Sequence, residues 1–307
     1  EYARGLGIEV IITDHHECEK ELPDALSIIN PHQPGCCYPF KDLAGVGVAF
    51  KLISALFSRA GNSAYSEKLL DIVSIGTIAD VVPLLGENRT IVKNGLVKIQ
   101  NTNNHGIKAL LRVCGLRDRE LNTYNVAFML APRINAAGRI DDAGECVELL
   151  LTDDAGRAME IAAKLDSDNK KRQAIENEIL NGAEAMIGET VDIDRDKVLV
   201  LCSENWHVGV IGIVASRLVE KFYLPSFIMA CEGEFSKGSA RSIPGFNIFS
   251  AMTKHEYLFE RYGGHEMAAG FTIRTERVDE LREKMNSEVE NALGKDRLMP
   301  EVLVDFK

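Results

Sequence analysis

An aspartate and two histidines, Asp14-His15-His16, stand directly after the apolar run Val10-Ile11-Ile12-Thr13. These are side chains that bind metals or move protons. In an extended chain neighbours point to opposite faces, so Asp14 and His16 share one face and His15 takes the other. The carboxyl end of a strand is also where open α/β sheets place their ligand sites. A neutral imidazole beside carboxylates suits Mn²⁺, Zn²⁺ or Fe²⁺, whereas oxygen donors alone suit Mg²⁺ or Ca²⁺. The plainer alternative is a polar strand end in which Asp14 caps a turn and both histidines are solvated. The tripeptide by itself leaves the two open. A further carboxylate, Asp80, lies in the otherwise apolar stretch "SIGTIADVVPL". Burying an unpaired carboxylate is costly, so Asp80 needs a metal, an arginine or backbone N–H groups. Its alternative is a helix-capping aspartate ahead of Pro83.

Other groups suit phosphate. "APRINAAGRIDDAG" offers Arg133, Asn135 and Arg139 among small residues that let another chain come close. Forked guanidinium donors would line a groove for phosphates; otherwise this is a helix and loop with surface arginines. "GSARS" offers Ser239 and Arg241, a hydroxyl and a two-pronged donor, with Gly238 leaving room for oxygens. That set can hold a terminal phosphate, the alternative being a strand edge with one exposed arginine. "YGGHEMAAG" puts His265 after Gly263 and Gly264, which let the backbone turn tightly. "NWHVGVIG" sets Trp206 and His207 at a strand-to-helix turn. There the only tryptophan either stacks a base, worth about 1–3 kcal/mol, or fills the core. "GVG" at Gly45 and Gly47 lacks both the dinucleotide fingerprint and a P-loop lysine, so it is read as close helix packing.

Holding these groups in place takes two α/β units. Short buried strands at residues 10–13 and 26–31 alternate with helices through residues 45–61 and into Asp80, which favours a parallel-type sheet. Helical spacing continues from 105 to 150 and resumes at Thr152. Apolar residues recur at Met159, Ala162 and Leu165, then at Ile175, Ile179, Ala183 and Met186, around the polar middle "DSDNKKRQ". A helix polar all round bridges domains through solvent, so the domain connection is placed there. From 196 a strand, a helix, two more strands and a closing amphipathic helix follow. The expected architecture is α/β: a parallel-sheet domain over residues 1–150, a connecting helix over 151–190, a smaller α/β domain over 191–294 and the start of a further region at 295–307.

The bulk numbers agree with this. A chain of 307 residues exceeds what one core usually needs. It is 46% hydrophobic and 26% charged, with no apolar run long enough for a bilayer and no targeting peptide, so a cytoplasmic setting is expected. Seven cysteines, with one adjacent pair and no C-x-x-C, read as reduced thiols rather than a disulfide frame or a zinc ribbon. A net charge of −11 argues against a diffuse basic surface for nucleic acid, though not against a few placed arginines and metal ions.

Taken in order, "TDHHEC", "LAGVGVAFKL", "GTIADVVPL" and "APRINAAGR" resemble the DHH phosphoesterase superfamily. "WHVGVIGIVASR", "GSARS" and "GGHEMAAGFTI" resemble the associated DHHA1 domain. Over nearly the whole chain the motifs are most similar to those of RecJ-type single-strand-specific 5′→3′ exonucleases. The resemblance implies hydrolysis of single-stranded DNA from a 5′ end, in DNA repair and recombination, by water activated at a two-metal site of Mn²⁺ or Mg²⁺. It implies His15 and Asp80 as metal ligands and His16 facing the scissile phosphate. Asp14 would orient an imidazole and fix its tautomer. Ser239 and Arg241 would form the 5′-end pocket, and Arg133, Asn135 and Arg139 a groove wall. Gly264 and His265 would face the metals across a cleft between the domains; Trp206 and His207, read from their place at a turn, are further candidate substrate contacts. A repair helicase or a single-strand-binding protein is the implied partner besides DNA, and no membrane is involved.

The family's upstream aspartate motifs have no counterpart in this sequence, which opens at Glu1 inside what reads as a helix end. The chain is therefore expected to be the core of a longer enzyme, with an incomplete metal site and no nuclease activity alone. Two rivals stay open. One is another enzyme of the superfamily, cleaving oligoribonucleotides, cyclic dinucleotides or nucleoside bisphosphates. The other is a non-catalytic nucleic-acid-binding module.

Overall fold

Isoleucines and a threonine, residues that fit a pleated surface, make the strand β1 (Ile11–Thr13) in a computed structural model that describes residues 2–18, 21–140, 142–192, 195–294 and 299–300. The chain divides into two units, residues 1–169 and 170–307.

In the first unit the one-turn helix α1 (Tyr2–Gly5) precedes β1, which pairs in parallel with β2 (Ser27–Ile29) in the register Ile11↔Ser27 and Thr13↔Ile29. Parallel pairing ends both strands at the same edge, so Asp14 and Asn30 emerge side by side, and the Asp14 N–H donates to the Ile29 carbonyl at 3.0 Å. Helices make up the rest: α2 (Gly45–Arg59), α3 (Leu70–Ala79), α4 (Gly86–Gln100), α5 (His105–Val113), α6 (Thr123–Asn125), α7 (Ala131–Ile140) and α8 (Gly144–Leu151). A π-helical turn, Val126–Leu130, separates α6 from α7. Asparagine caps recur: the Asn104 side chain accepts from Ile107 N–H at 3.0 Å, and Asn122 with Asn125 forms a reciprocal capping box. α3 is largely apolar and buried accordingly. Of its three polar side chains, Ser74 and Thr77 donate back to the carbonyls of Asp71 and Val73, and the buried Asp71 carboxylate accepts from the Thr102 hydroxyl at 2.6 Å. The main core of this unit gathers Ile107, Leu110, Leu130, Leu149 and Leu165, and a smaller one gathers Leu43, Val48, Val73 and Ile91.

One polar cluster braces α2 against α4. The Tyr38 hydroxyl donates to Glu87 Oε1 at 2.6 Å, and Lys51 pairs with the same carboxylate. Burial pushes the Glu87 carboxyl up, but the hydrogen bonds from Lys51 and Tyr38 outweigh it and hold the group below its usual value near 4.5. A carboxylate depressed in the folded state adds stability above its unfolded pKa and loses it as pH falls through the folded value. Urea unfolding from pH 7 down to pH 3 is therefore expected to show a shallower acid-side loss in Glu87→Gln than in wild type. Parallel curves for the two would remove Glu87 from the acid limb.

The second unit follows α9 (Ala155–Thr190), which runs unbroken across the division between the units. Its elements are β3 (Leu199–Ser203), α10 (Val208–Phe222), β4 (Ser226–Glu232), β5 (Phe235–Arg241), α11 (Ile248–Lys254), β6 (Phe259–Gly264), β7 (Ala268–Arg274) and α12 (Val278–Leu293). The sheet order is β3-β4-β5-β7-β6. β3 and β4 are parallel, joined by the α10 crossover, and the other pairs are antiparallel. One face packs Phe227, Met229, Ala240 and Phe271 with α11 and α12. The other packs Leu199, Leu201 and Ile228 with α10 and with Ile179, Ala183 and Ile187 of α9.

Three expectations are corrected. The polar middle of the long helix is not solvated all round: Asp168, Asn169 and Glu176 are 3%, 2% and 2% exposed. Glu176 is held by ion pairs with Arg172 and Arg217, which makes its burial tolerable. β5 and β6 are additional strands. Their Gly, Ser, Lys and Arg content hides the period-two pattern, and ladder pairing to β4 and β7 decides the conformation instead. Finally, Cys202 and Cys231 are joined as a disulfide with a Cα–Cα distance of 6.2 Å, where free thiols were expected. The neighbouring parallel strands β3 and β4 bring together two cysteines that are 29 positions apart in sequence. The strand expected to start at residues 295–307 lies outside the described residues apart from 299–300.

Candidate functional site

His15 sits between two elements of the first unit. Its ring lies over Gly45, the first residue of α2, so closely that a Cβ there would come within 3.1 Å of His15 Cδ2. Gly45 thus lets the imidazole pack closely on the helix start. The sequence suggested close packing but not its partner. On the other side, His15 Nδ1 is 3.6 Å from Asp80 Oδ2, too far for a good hydrogen bond. An ion held at about 2.1 Å by a nitrogen and a carboxylate oxygen sets them about 3 Å apart at a right angle and about 4.2 Å apart when opposed. The observed spacing falls inside that window. The residues present fit a divalent cation.

Asp14 has a different part. Its Oδ1 accepts from the backbone N–H of His15 at 2.7 Å and of His16 at 3.3 Å, and lies 2.8 Å from His16 Nδ1. The turn-capping alternative is therefore realised, and with it an orienting contact to the imidazole. Burial pushes the Asp14 carboxyl up, but these hydrogen bonds outweigh it and keep the group below the ordinary aspartate value. With Nδ1 engaged by a carboxylate, His16 offers its other nitrogen, Nε2, outward from a side chain that is 63% exposed. The turn is anchored from below by Asn30, only 5% exposed, whose Nδ2 donates to the His16 carbonyl at 2.8 Å. Asn30 was not singled out in the sequence, although an Asn-Pro step after an apolar run is a turn signal. Asp14, His15 and His16 form a cluster of three possible ligand atoms within 4.8 Å, the one such group among the described residues.

Asp80 stands where the fold alone would not put it. It is the C-terminal cap of α3, where the helix dipole disfavours a negative charge. The next residue, Val81, is β-branched, 85% exposed and held at φ +62°, a left-handed conformation that costs such residues about 1–2 kcal/mol. Local strain of this kind collects at functional sites. Asn88, fully buried on α4, ties the neighbourhood together: its Nδ2 donates to the Asp42 carbonyl at 2.6 Å and to the Pro83 carbonyl at 3.0 Å. The segment leading to Gly45 and the turn after Asp80 are thereby fixed to one side chain. Val81→Gly is expected to raise stability by about 0.5–1 kcal/mol, the relief being partly offset by the greater chain entropy of glycine. A destabilised Val81→Gly protein in urea titration would contradict the strain.

The arginine segment separates into two parts. Arg133 does not line a groove: its Nε and Nη2 engage Asp166 Oδ1 at 2.8 and 2.7 Å, and Nη1 donates to the Met129 carbonyl at 2.5 Å. With both side chains 15% exposed, this is an internal tie between α7 and α9, and the expected phosphate contact is corrected. Asn135 and Arg139, four residues apart and exposed, share an outward face of α7.

In the second unit the phosphate candidates converge. Ser239 and Arg241 are two apart on β5 and share a face. Arg241 Nη1 donates to Ser239 Oγ at 3.0 Å and to the Ala240 carbonyl at 2.8 Å. Opposite them lies Gly212 in the first turns of α10, where a Cβ would be 2.9 Å from Ser239 Oγ and 3.2 Å from Arg241 Nη2. A bare helix face near its N-terminal end therefore adjoins the hydroxyl and the guanidinium, an arrangement suited to an anion. His207 caps that helix, its Nδ1 accepting from Gly209 N–H at 3.1 Å, so a neutral ring carries its proton on Nε2. The register Arg241↔Ala268 places the β6–β7 turn beside the pocket, and the exposed His265 donates its N–H to the Ala268 carbonyl at 2.8 Å. A side chain at Gly264 would run into the backbone of Ala268 and Ala269, so this glycine shapes the hairpin. Trp206 takes its second alternative. It is 9% exposed and packs in the core with Ile179, Leu201 and Val210, so base stacking by this residue is corrected.

Known proteins share this layout. The profile of the DHH family, N-terminal domain, matches residues 1–77, and that of the DHHA1 domain matches residues 195–291. The chain is 45% identical over 306 residues to the single-stranded-DNA-specific exonuclease RecJ of Bacillus subtilis (strain 168), covering 99% of this chain and 38% of that protein. It thus spans less than half the length of that relative. A crystal structure of RecJ in complex with Mn²⁺ from Thermus thermophilus superposes with a TM-score of 0.83 at 35% identity, over 94% of this chain and 43% of that one. A crystal structure of exonuclease RecJ bound to manganese gives a TM-score of 0.79 at 34% identity, over 96% of this chain and 72% of that one.

Proposed function

We propose, of a chain that belongs to the RecJ family of DHH and DHHA1 proteins, that it is the core of an enzyme that hydrolyses single-stranded DNA from the 5′ end, and that by itself it binds the strand without cleaving it. The observation that carries this reading is the His15–Asp80 pair, 3.6 Å apart, with Asp80 on a turn the fold maintains at a cost. His15 and Asp80 would hold Mn²⁺ or Mg²⁺, in a two-ion centre of which they supply these two ligands. Such a cation, when bound, lowers the pKa of water and neutralises charge gathering on phosphoryl oxygens.

The chain's own groups do the rest. Asp14 holds the His16 ring through Nδ1, so Nε2 meets the scissile phosphate, donating a hydrogen bond when protonated and taking up a proton when neutral. Ser239 and Arg241 capture the terminal 5′-phosphate, with room left by Gly212 and a further N–H from His207 Nε2. End capture gives direction. Asn135 and Arg139 contact the backbone from α7, and His265 supplies an exposed imidazole for proton handling at the substrate. The same reading carries a cytoplasmic setting in DNA repair and recombination, with a repair helicase or a single-strand-binding protein as companion.

A 3′-labelled single strand with a 5′-phosphate, incubated with Mn²⁺ or with EDTA, tests it. Binding that prefers the 5′-phosphorylated strand, without shortening, is expected of this chain, and stepwise Mn²⁺-dependent shortening from the 5′ end, faster than turnover of dinucleotides, of the longer enzyme that carries it. Arg241→Ala should lower the preference for a 5′-phosphate over a 5′-hydroxyl about tenfold, the loss of one charge-assisted contact. Equal turnover of dinucleotides by the longer enzyme, or strand binding indifferent to the 5′-phosphate, would overturn the reading.

A further inference from the structure

The first unit carries a second concentration of positive charge that none of the roles above uses. On α5, His105, Lys108 and Arg112 are spaced i, i+3 and i+7 and so lie along one face. Arg117, beyond the helix end, returns to the same place, and together with Gln100 and Asp118 these residues border a cavity of about 330 Å³. Three Lys or Arg side chains thus face one Asp there, with Asp154 near enough to His105 to feel its charge.

The rest of the molecule makes this unusual. The chain has 46 acidic against 35 basic residues, and nearby cations are spoken for: Arg157 pairs with Glu148, Lys164 with Glu145, Arg133 with Asp166. Lys108, Arg112 and Arg117 are exposed, and among the described residues none of the three makes an ion pair. A concave surface with unbalanced positive charge in an acidic protein concentrates anions. Two forked guanidinium groups beside one ammonium suit tetrahedral phosphate oxygens.

We propose that this cavity is a sequence-independent contact for the phosphate backbone of single-stranded DNA, separate from the Ser239–Arg241 pocket and within the same unit as the metal centre. It rests on the reading that the substrate is a single strand. Neutralising a backbone phosphate releases its condensed counterions, and on single strands each contact contributes about 0.7 to the slope of log affinity against log salt. Inorganic phosphate offers the same chemistry without the chain.

Fluorescence anisotropy of a 3′-labelled, 5′-phosphorylated strand in EDTA, across a salt series, reads this directly in wild type and in Lys108→Ala/Arg112→Ala. Both side chains are exposed, so an unchanged thermal midpoint confirms that the variant is folded. The double variant is expected to bind about tenfold more weakly at low salt, with a slope smaller by about 1.4, and to keep its preference for a 5′-phosphate. Equal affinity and slope would overturn the inference while leaving the exonuclease reading in place. Failure of wild type to bind any strand would overturn both. Inorganic phosphate that binds wild type but not the variant, at fixed ionic strength and with strand affinity and slope equal in the two, would assign the cavity to a small anion instead. A labelled acidic peptide that binds wild type and is lost in the variant, with strand binding unmoved, would assign it to a protein partner.

Discussion

Asp80→Asn, placed in the longer enzyme that carries this chain, is expected to lower metal-dependent cleavage of single strands about a thousandfold, equivalent to about 4 kcal/mol of transition-state stabilisation. The same change should leave the folded state as stable as before or slightly more so. The two halves of this expectation come from one location. Asp80 carries a negative charge at the negative end of α3, beside a valine in a left-handed conformation, and it faces an imidazole nitrogen of His15 3.6 Å away. An amide of the same shape removes the unfavourable charge–dipole contact, worth about 0.3–1 kcal/mol, and with it the carboxylate donor that a divalent cation needs. Activity assays with Mn²⁺ alongside urea unfolding separate the effects. Loss of stability in step with activity would make Asp80 a structural residue.

Arg133→Met should act the other way round, lowering stability by about 3 kcal/mol through the loss of a charge that faces Asp166 in a largely buried setting. Methionine keeps most of the side-chain volume, so the cost reads the ion pair and the Met129 carbonyl contact rather than a cavity. Pairing it with Asp166→Leu is expected to recover most of the loss, because two apolar groups replace two charges. Urea midpoints of the single and double variants check this. A single-variant loss under about 0.5 kcal/mol, as for ordinary surface positions, would restore Arg133 to the exposed face that its sequence context suggested.

The contrast between these residues shows where the sequence is legible. Asp80 stood out as a lone carboxylate in an apolar run, and Asp14-His15-His16 as ligand types at a strand tip, because chemistry of that kind is expensive to bury without purpose. Arg133 and Trp206 belong to motifs that are distinctive as strings, yet a string does not say which side of a helix faces a partner. Asp166 lies 33 positions away, and no local pattern announces it. Asn30 and Asn88 were missed for the same reason, since each matters through contacts with distant backbone, whereas Gly45 was read as close packing without its partner His15. The longer helices and the strands β3, β4 and β7 follow their apolar runs, β1 and β2 were read as buried but are exposed or only partly buried, with Ile11 57% exposed, and β5 and β6 are decided by neighbouring strands. The disulfide was invisible because strand register, not cysteine spacing, brings Cys202 to Cys231.

Mn²⁺ binding followed by electron paramagnetic resonance, on wild type, His15→Ala and Asp80→Asn side by side, bears most directly on whether these two residues hold the cation. Wild type is expected to bind Mn²⁺ saturably, with each variant weakened at least tenfold and unfolding midpoints preserved. Superimposable isotherms for the three proteins would mean that His15 and Asp80 are not ligands, and that the strained turn serves something else.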